Sequence, residues 1–267
     1  ATVTYNFSIN KELAKNATTV VEFYADIDTT GTPNAAANVT STLVASGTGA
    51  NSGATLSNSK VTGQTSTYKA PAIAITRGAS SPATAIIADE GTLSVVSYVL
   101  EAQNDSYILD KFTVKFTGTT VISSVALKDG STTLATQPGA ATVTFAGLNY
   151  TIPANTKKTL DVVVTLSAVG AGAGTTGSDI IAKMDSAETY LAPASTGSAV
   201  QYASSGTIDG NNIYVYKTIP TISLVSLPST TLTAGTKTLQ KFTISADASG
   251  DLAWGQIVFD ITKTSDT

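Results

Sequence analysis

Acidic pairs are the first place to look for chemistry in this chain. Asp26 and Asp28 stand one residue apart, so a strand places both carboxylates on one side, a beginning for the several oxygens a calcium ion takes. Asp89-Glu90 and the pair Asp247 and Asp251 offer similar donors. None of them has EF-hand spacing. A near-copy of the first stretch further along the chain carries Thr165 and Ser167 where Asp26 and Asp28 would fall, so a solvated strand end is the simpler reading. Calcium is the one ion considered for the chain, at Asp26 and Asp28, and no other cofactor is expected. There is no histidine and no cysteine, which excludes disulfides, Cys/His metal sites and histidine acid–base catalysis. A nucleophile would then need a Ser–Lys pair or paired carboxylates. Lys157-Lys158 and Asp161 lie in an amphipathic strand pattern, where such side chains are solvated, so no enzymatic activity is expected.

Two further groups of residues bear on sugars. Trp254, the only tryptophan, could stack on a sugar ring. It precedes the apolar alternation Ile257, Phe259, Ile261, and packing in a core or at a domain interface is the expected role. Tyr190, Tyr202, Tyr214 and Tyr216 could line a glycan surface, but Tyr214 and Tyr216 share a strand face, which favours packing. Asn6, Asn16, Asn38, Asn104 and Asn149 each open an Asn-x-Ser/Thr sequon and are candidate glycosylation sites.

Charge narrows the partners. The net charge is −4 and only 13% of residues are charged, against roughly 25% in ordinary soluble domains, so hydroxyls and amides must keep the chain in solution. Arg77 is the only arginine and no basic cluster exists to neutralise phosphates, so nucleic acid is not an expected partner. No apolar run approaches the roughly 18 residues of a membrane span. No stretch reads as a signal peptide, and a chain opening on Ala1 in place of Met is expected to follow a removed or preceding segment.

The elements that carry these residues read as strands. Phe112, Val114 and Phe116 alternate with Lys111, Thr113 and Lys115, at the period of two of a half-buried strand. Val96, Tyr98 and Leu100 do the same within 92–101, and Lys128-Asp129-Gly130-Ser131 is a hairpin signal. Strands are also predicted at 2–5, 19–27, 39–44, 67–69, 179–184 and 213–217, with loops at 45–53, 170–177 and 190–205. No helical pattern interrupts them.

These strands repeat. ATVTYNFSIN from Ala1 matches ATVTFAGLNY from Ala141, and Leu13-Ala14-Lys15-Asn16 matches Ile152-Pro153-Ala154-Asn155. Val21, Glu22, Phe23, Ala25 and Ile27 match Leu160, Asp161, Val162, Val164 and Leu166. Tyr68-Lys69 matches Tyr216-Lys217. Past Lys217 the earlier part returns: Pro220, Ile222 and Leu224 match Pro71, Ile73 and Ile75; Gly235-Thr236 matches Gly91-Thr92; Phe242 and Ile244 match Tyr98 and Leu100; Ile257, Phe259 and Ile261 match Phe112, Val114 and Phe116. The period is that of a whole domain. The order is therefore the C-terminal half of a repeat (1–70), a complete repeat (71–217) and the N-terminal half of another (218–267), an all-β chain of tandem immunoglobulin-like β-sandwiches.

A half-sandwich bares an apolar face and unpaired edges. Val3, Tyr5, Phe23, Ile257, Phe259 and Ile261 are the candidate assembly residues. Three arrangements would cover them: flanking sequence in a longer multi-repeat protein, strand complementation between chains, or pairing of the two halves within one chain.

Units such as KFTVKFTG, ALKDGSTTLAT, ATVTFAGLNYTIPANTKKTLDVVVTLS and FTISADASGDLAWGQIVFDIT resemble those of prokaryotic cell-surface proteins built from tandem immunoglobulin-like repeats, the S-layer-like and adhesin-like proteins. The resemblance implies an extracellular location at the cell surface. It also implies a structural role in a layer, stalk or filament that assembles with copies of itself, or, alternatively, a module that binds a cell-surface glycan. It carries no active-site residues with it.

Overall fold

The computed structural model describes residues 3–9, 11–25, 38–57, 60–88, 91–170, 174–204 and 208–262. Strand accounts for 49% of the structure and helix for 3%, as the period-two alternation predicts. The chain divides into two compact units, Ala1–Ala70 and Pro71–Thr267.

In the first unit, β1 (Asn38–Leu43) runs antiparallel to β4 (Val61–Thr67), with a bulge between Thr40 and Thr42. Between them lies a small hairpin of β2 (Ser46–Thr48) and β3 (Thr55–Ser57). The sequence predicts a loose loop there. Short ladders of Ser, Thr and Gly give no apolar signal, because backbone hydrogen bonds alone hold them. The strand predicted at 67–69 is found instead at Val61–Thr67. Of the strands predicted at 2–5 and 19–27, the described residues 3–5 and 19–25 form no β-ladder. Their sequence matches in the second unit are strands, β11 paired with β8 and β12 with β7 and β9. Asp26 and Asp28 lie outside the described residues, as do Asp89 and Glu90.

The second unit begins with β5 (Ala72–Arg77), β6 (Ala85–Ala88), β7 (Thr92–Gln103) and β8 (Tyr107–Phe116). After a single 3-10 turn come β9 (Ile122–Asp129), β10 (Thr132–Pro138), β11 (Thr142–Ile152) and β12 (Lys157–Leu166). Short strands follow: β13 (Ser178–Ile180), β14 (Ala182–Met184), β15 (Tyr190–Pro193), β16 (Val200–Gln201) and β17 (Ile213–Tyr216). Two more close the chain, β18 (Thr221–Val225) and β19 (Lys241–Ser245). One sheet has the order β10-β9-β12-β7-β5 and a second has β11-β8-β15-β16, with β14 also on β8. A third is β13-β17-β6, in which β6 runs parallel to β17. The predicted strand at 179–184 is thus split at Ile181, its first part pairing with β17 and its second with β8. The Asp129-Gly130 turn joins β9 to β10 as predicted, with Gly130 at φ 57°.

One apolar core joins these sheets. Val96, Tyr98 and Leu100 of β7 face Phe112 and Val114 of β8, all fully buried. The rings of Tyr98 and Phe112 meet edge to face at 5.4 Å, a favourable geometry for aromatic pairs. From β11 and β12 come Val143, Phe145, Leu160, Val162 and Val164. Thr113, on the polar side of the alternation, is buried as well, because Ser186–Glu188 folds over it. Its hydroxyl donates to the Glu188 carbonyl at 2.9 Å.

Gly118 shows how tightly the loops close on this core. It sits at φ 60°, and a β-carbon there would stand 2.4 Å from the Asp179 carbonyl oxygen. Gly118→Ala meets both a left-handed backbone and a backbone clash, so urea denaturation is expected to show a loss of about 2 kcal/mol or more.

Beyond Lys217, β18 pairs antiparallel with β19, Ile222 opposite Ile244 and Leu224 opposite Phe242. The matching strands β5 and β7 pair the same way, with Ile73 opposite Ala102 and Ile75 opposite Leu100. Relative to the sequence match the register differs by two residues, an even step that keeps the same side chains on the same face.

Candidate assembly surface

Backbone geometry agrees at matched turns. Asn16 and Asn155 both adopt positive φ, 66° and 56°. Each occupies the third position of the same tight turn, with Ala17 N donating to Ala14 O at 2.9 Å and Thr156 N to Pro153 O at 3.3 Å. Gly91 and Gly235 likewise share positive φ, 91° and 104°.

Burial, by contrast, is opposite at matched positions. Tyr5 is 68% exposed, whereas Phe145 is fully buried. Phe259 is 56% exposed, and its match Val114 is fully buried. Val3, Val21, Phe23, Leu224, Ile257 and Ile261 are all exposed, and each matches a buried core position. Two ring contacts lie on these faces. Phe7 meets Phe23 edge to face at 6.1 Å, and Phe242 lies 5.9 Å from Phe259. Covering such side chains contributes on the order of 1–2 kcal/mol each. Eight of them outweigh much of the roughly 4–15 kcal/mol cost of association.

Trp254, read from the sequence as a packing residue, is exposed here beside Phe242, Ile244, Ala246 and Leu252, which line a shallow depression of about 270 Å³. Counting back from Ile257 and Phe112, its match is Leu109, which is fully buried.

No protein-family model matches this chain, and no curated protein matches it in sequence.

The remaining candidates have settings of their own. Tyr202 is half-buried, and its hydroxyl is engaged with the β5 backbone, accepting from Ile75 N at 2.8 Å and donating to Ile75 O at 3.3 Å. Tyr190 is half-buried under Lys111, whose ammonium lies 5.2 Å from the ring centre. Tyr214 and Tyr216 do share the outer face of β17, while Ile213 and Val215 point into the core. Lys157 pairs with Glu101 at 3.1 Å and Lys158 with Asp129 at 3.4 Å. All five sequon asparagines, Asn6, Asn16, Asn38, Asn104 and Asn149, are exposed, and Asn16, Asn104 and Asn149 adopt positive φ. Among the described residues no group of three or more Asp, Glu, His or Cys is placed to hold a metal ion, and no helix is long and apolar enough to cross a membrane.

Asp247 anchors the C-terminal segment, accepting from Ser249 N at 2.9 Å and from Ile219 N at 3.2 Å. The Ser249 amide, with Ile219 adding and burial opposing, holds its carboxyl below the ordinary 3.8. A depressed carboxylate stabilises the fold above its unfolded value and stops doing so as pH falls through the folded value. At the alkaline end, burial raises the Tyr98 hydroxyl above the ordinary 10.0, with Asp209 adding, and burial raises Tyr150 too, with Asp129 adding. Their contribution is complete below pH 10.0 and is lost as pH rises toward the folded values. With no histidine or cysteine between these limits, the melting temperature is expected to be flat from about pH 5 to 9. It should fall below 3.8 and above 10.0. A thermal-melt series across pH checks this.

Proposed function

We propose that this chain is a structural building block of an extracellular surface layer, stalk or filament, assembling with copies of itself through sheet edges and end-to-end contacts. The observation that carries the reading is the reversal of burial: apolar positions bare in residues 3–25 and 222–261 match positions that are core in residues 71–217. The immunoglobulin-like character is supported by the split first strand, in which β5 pairs antiparallel with β7 while β6 pairs parallel with β17. Tandem repetition is supported by the shared turn geometry at Asn16 and Asn155 and at Gly91 and Gly235. Sheets supply stiffness, hydroxyl-rich outer faces keep the chain in solution, and no chemistry is catalysed. Electron microscopy and sedimentation velocity of the intact chain are expected to show ordered polymers or arrays. A chain that stays strictly monomeric at high concentration contradicts the reading.

An adhesive role is the second reading, and the exposure of Trp254 favours it. A glycan array decides between them: binding lost in Trp254→Ala supports adhesion. The buried match at Leu109 argues instead for packing against protein.

A further inference from the structure

We infer that residues 3–25 of one chain and residues 241–261 of a second copy form one composite sandwich, in a register that residues 71–217 specify. The inference rests on the repeat reading above and names the partner of the bared faces. Within the complete domain, β11 pairs with β8 so that Val143 faces Val114, Phe145 faces Phe112 and Ile152 faces Tyr107, while β12 pairs with β7 so that Leu160 faces Tyr98. Transferred through the sequence match, these pairs become Val3 with Phe259, Tyr5 with Ile257, Leu13 with Leu252 and Val21 with Phe242. These four join apolar residues, while the next pair of the β12–β7 ladder, Val162 with Val96, sets Phe23 opposite Gln240.

A charge pair supports the same register independently. Asp161 faces Ser97 in the complete domain. Its match Glu22 would face Lys241, an acid opposite a base, whereas Asp161 has its base, Lys128, on the other side in β9; directly opposed opposite charges stabilise a sheet. Both side chains are exposed. A contact joining one end of a chain to the other end of the next is heterologous and propagates into a fibre when it does not close into a ring.

The absence of cysteine in this chain makes the test clean. Intact chains carrying Val3→Cys are mixed with intact chains carrying Phe259→Cys and oxidised. The expected result is about tenfold more mixed disulfide dimer than from Val3→Cys with Val258→Cys, since Val258 alternates to the opposite face of the strand and cysteines whose Cβ vectors point apart cannot be bridged. Glu22→Lys or Lys241→Glu alone is expected to weaken assembly about two- to fivefold, and mixing the two reversed chains restores it. Equal yields from both cysteine pairs overturn the register. A double variant that links only within single chains overturns the second copy as partner. Polymers of the unmodified chain without the in-register cross-link leave the building-block reading standing and overturn this composite; no polymers and no cross-link overturn both.

Discussion

Phe259→Asp is expected to abolish assembly of the intact chain while leaving the domain of residues 71–217 as stable as before. Phe259 is exposed in the single chain, and its ring lies against Phe242. Its match Val114 is fully buried between sheets. A carboxylate costs little at an exposed position and several kcal/mol when buried without a partner. The concentration needed for polymer formation should therefore rise by at least about a hundredfold, the effect of roughly 3 kcal/mol. Sedimentation velocity reads the assembly and urea denaturation the domain. Unchanged assembly would mean that this face is not the contact.

The second large effect contrasts two matched aromatic residues. Tyr98 is fully buried, packs edge to face on Phe112 and donates its hydroxyl to the Ile208 carbonyl at 3.2 Å. Tyr98→Ala opens a cavity and strands that carbonyl, and should destabilise the domain by about 3–5 kcal/mol. Phe242, its match in β19, is only half-buried. Phe242→Ala should cost the single chain less than about 1 kcal/mol, since a half-exposed ring forfeits little packing. It should nevertheless weaken assembly strongly. Urea denaturation at low concentration, where chains stand alone, separates the two. Equal destabilisation by both substitutions would place Phe242 in a core already complete within one chain.

Long alternating strands were legible in the sequence because one face is buried throughout. Phe112, Val114 and Phe116 of β8, and Val96, Tyr98 and Leu100 of β7, alternate and are core. The Asp129-Gly130 turn was legible because its backbone needs residues tolerant of positive φ. The strands that escaped are short or small in side chain. β6 is Ala-Ile-Ile-Ala, β2 is Ser-Gly-Thr, and β15 lies in a stretch that reads as loop. Their pairing is imposed by neighbouring strands distant in sequence, which no local pattern encodes. The burial of Thr113 escaped for the same reason, since a turn dozens of residues later covers it. Residues 3–25 show the converse. Their alternation is that of a strand, yet they form no ladder, because alternation marks a face and does not name a pairing partner. For the assembly surface, Val3, Tyr5, Phe23, Ile257, Phe259 and Ile261 could be named from alternation and repetition. What the sequence could not show is that all six stand exposed while their matches are core.

The most direct test of this account is hydrogen–deuterium exchange of the intact chain at low and at high concentration. Amides of residues 3–25 and 241–261 should exchange freely in dilute solution and become protected as concentration rises, with β7 and β8 protected throughout. Free exchange of both segments at every concentration would contradict the claim that these faces are built to cover one another.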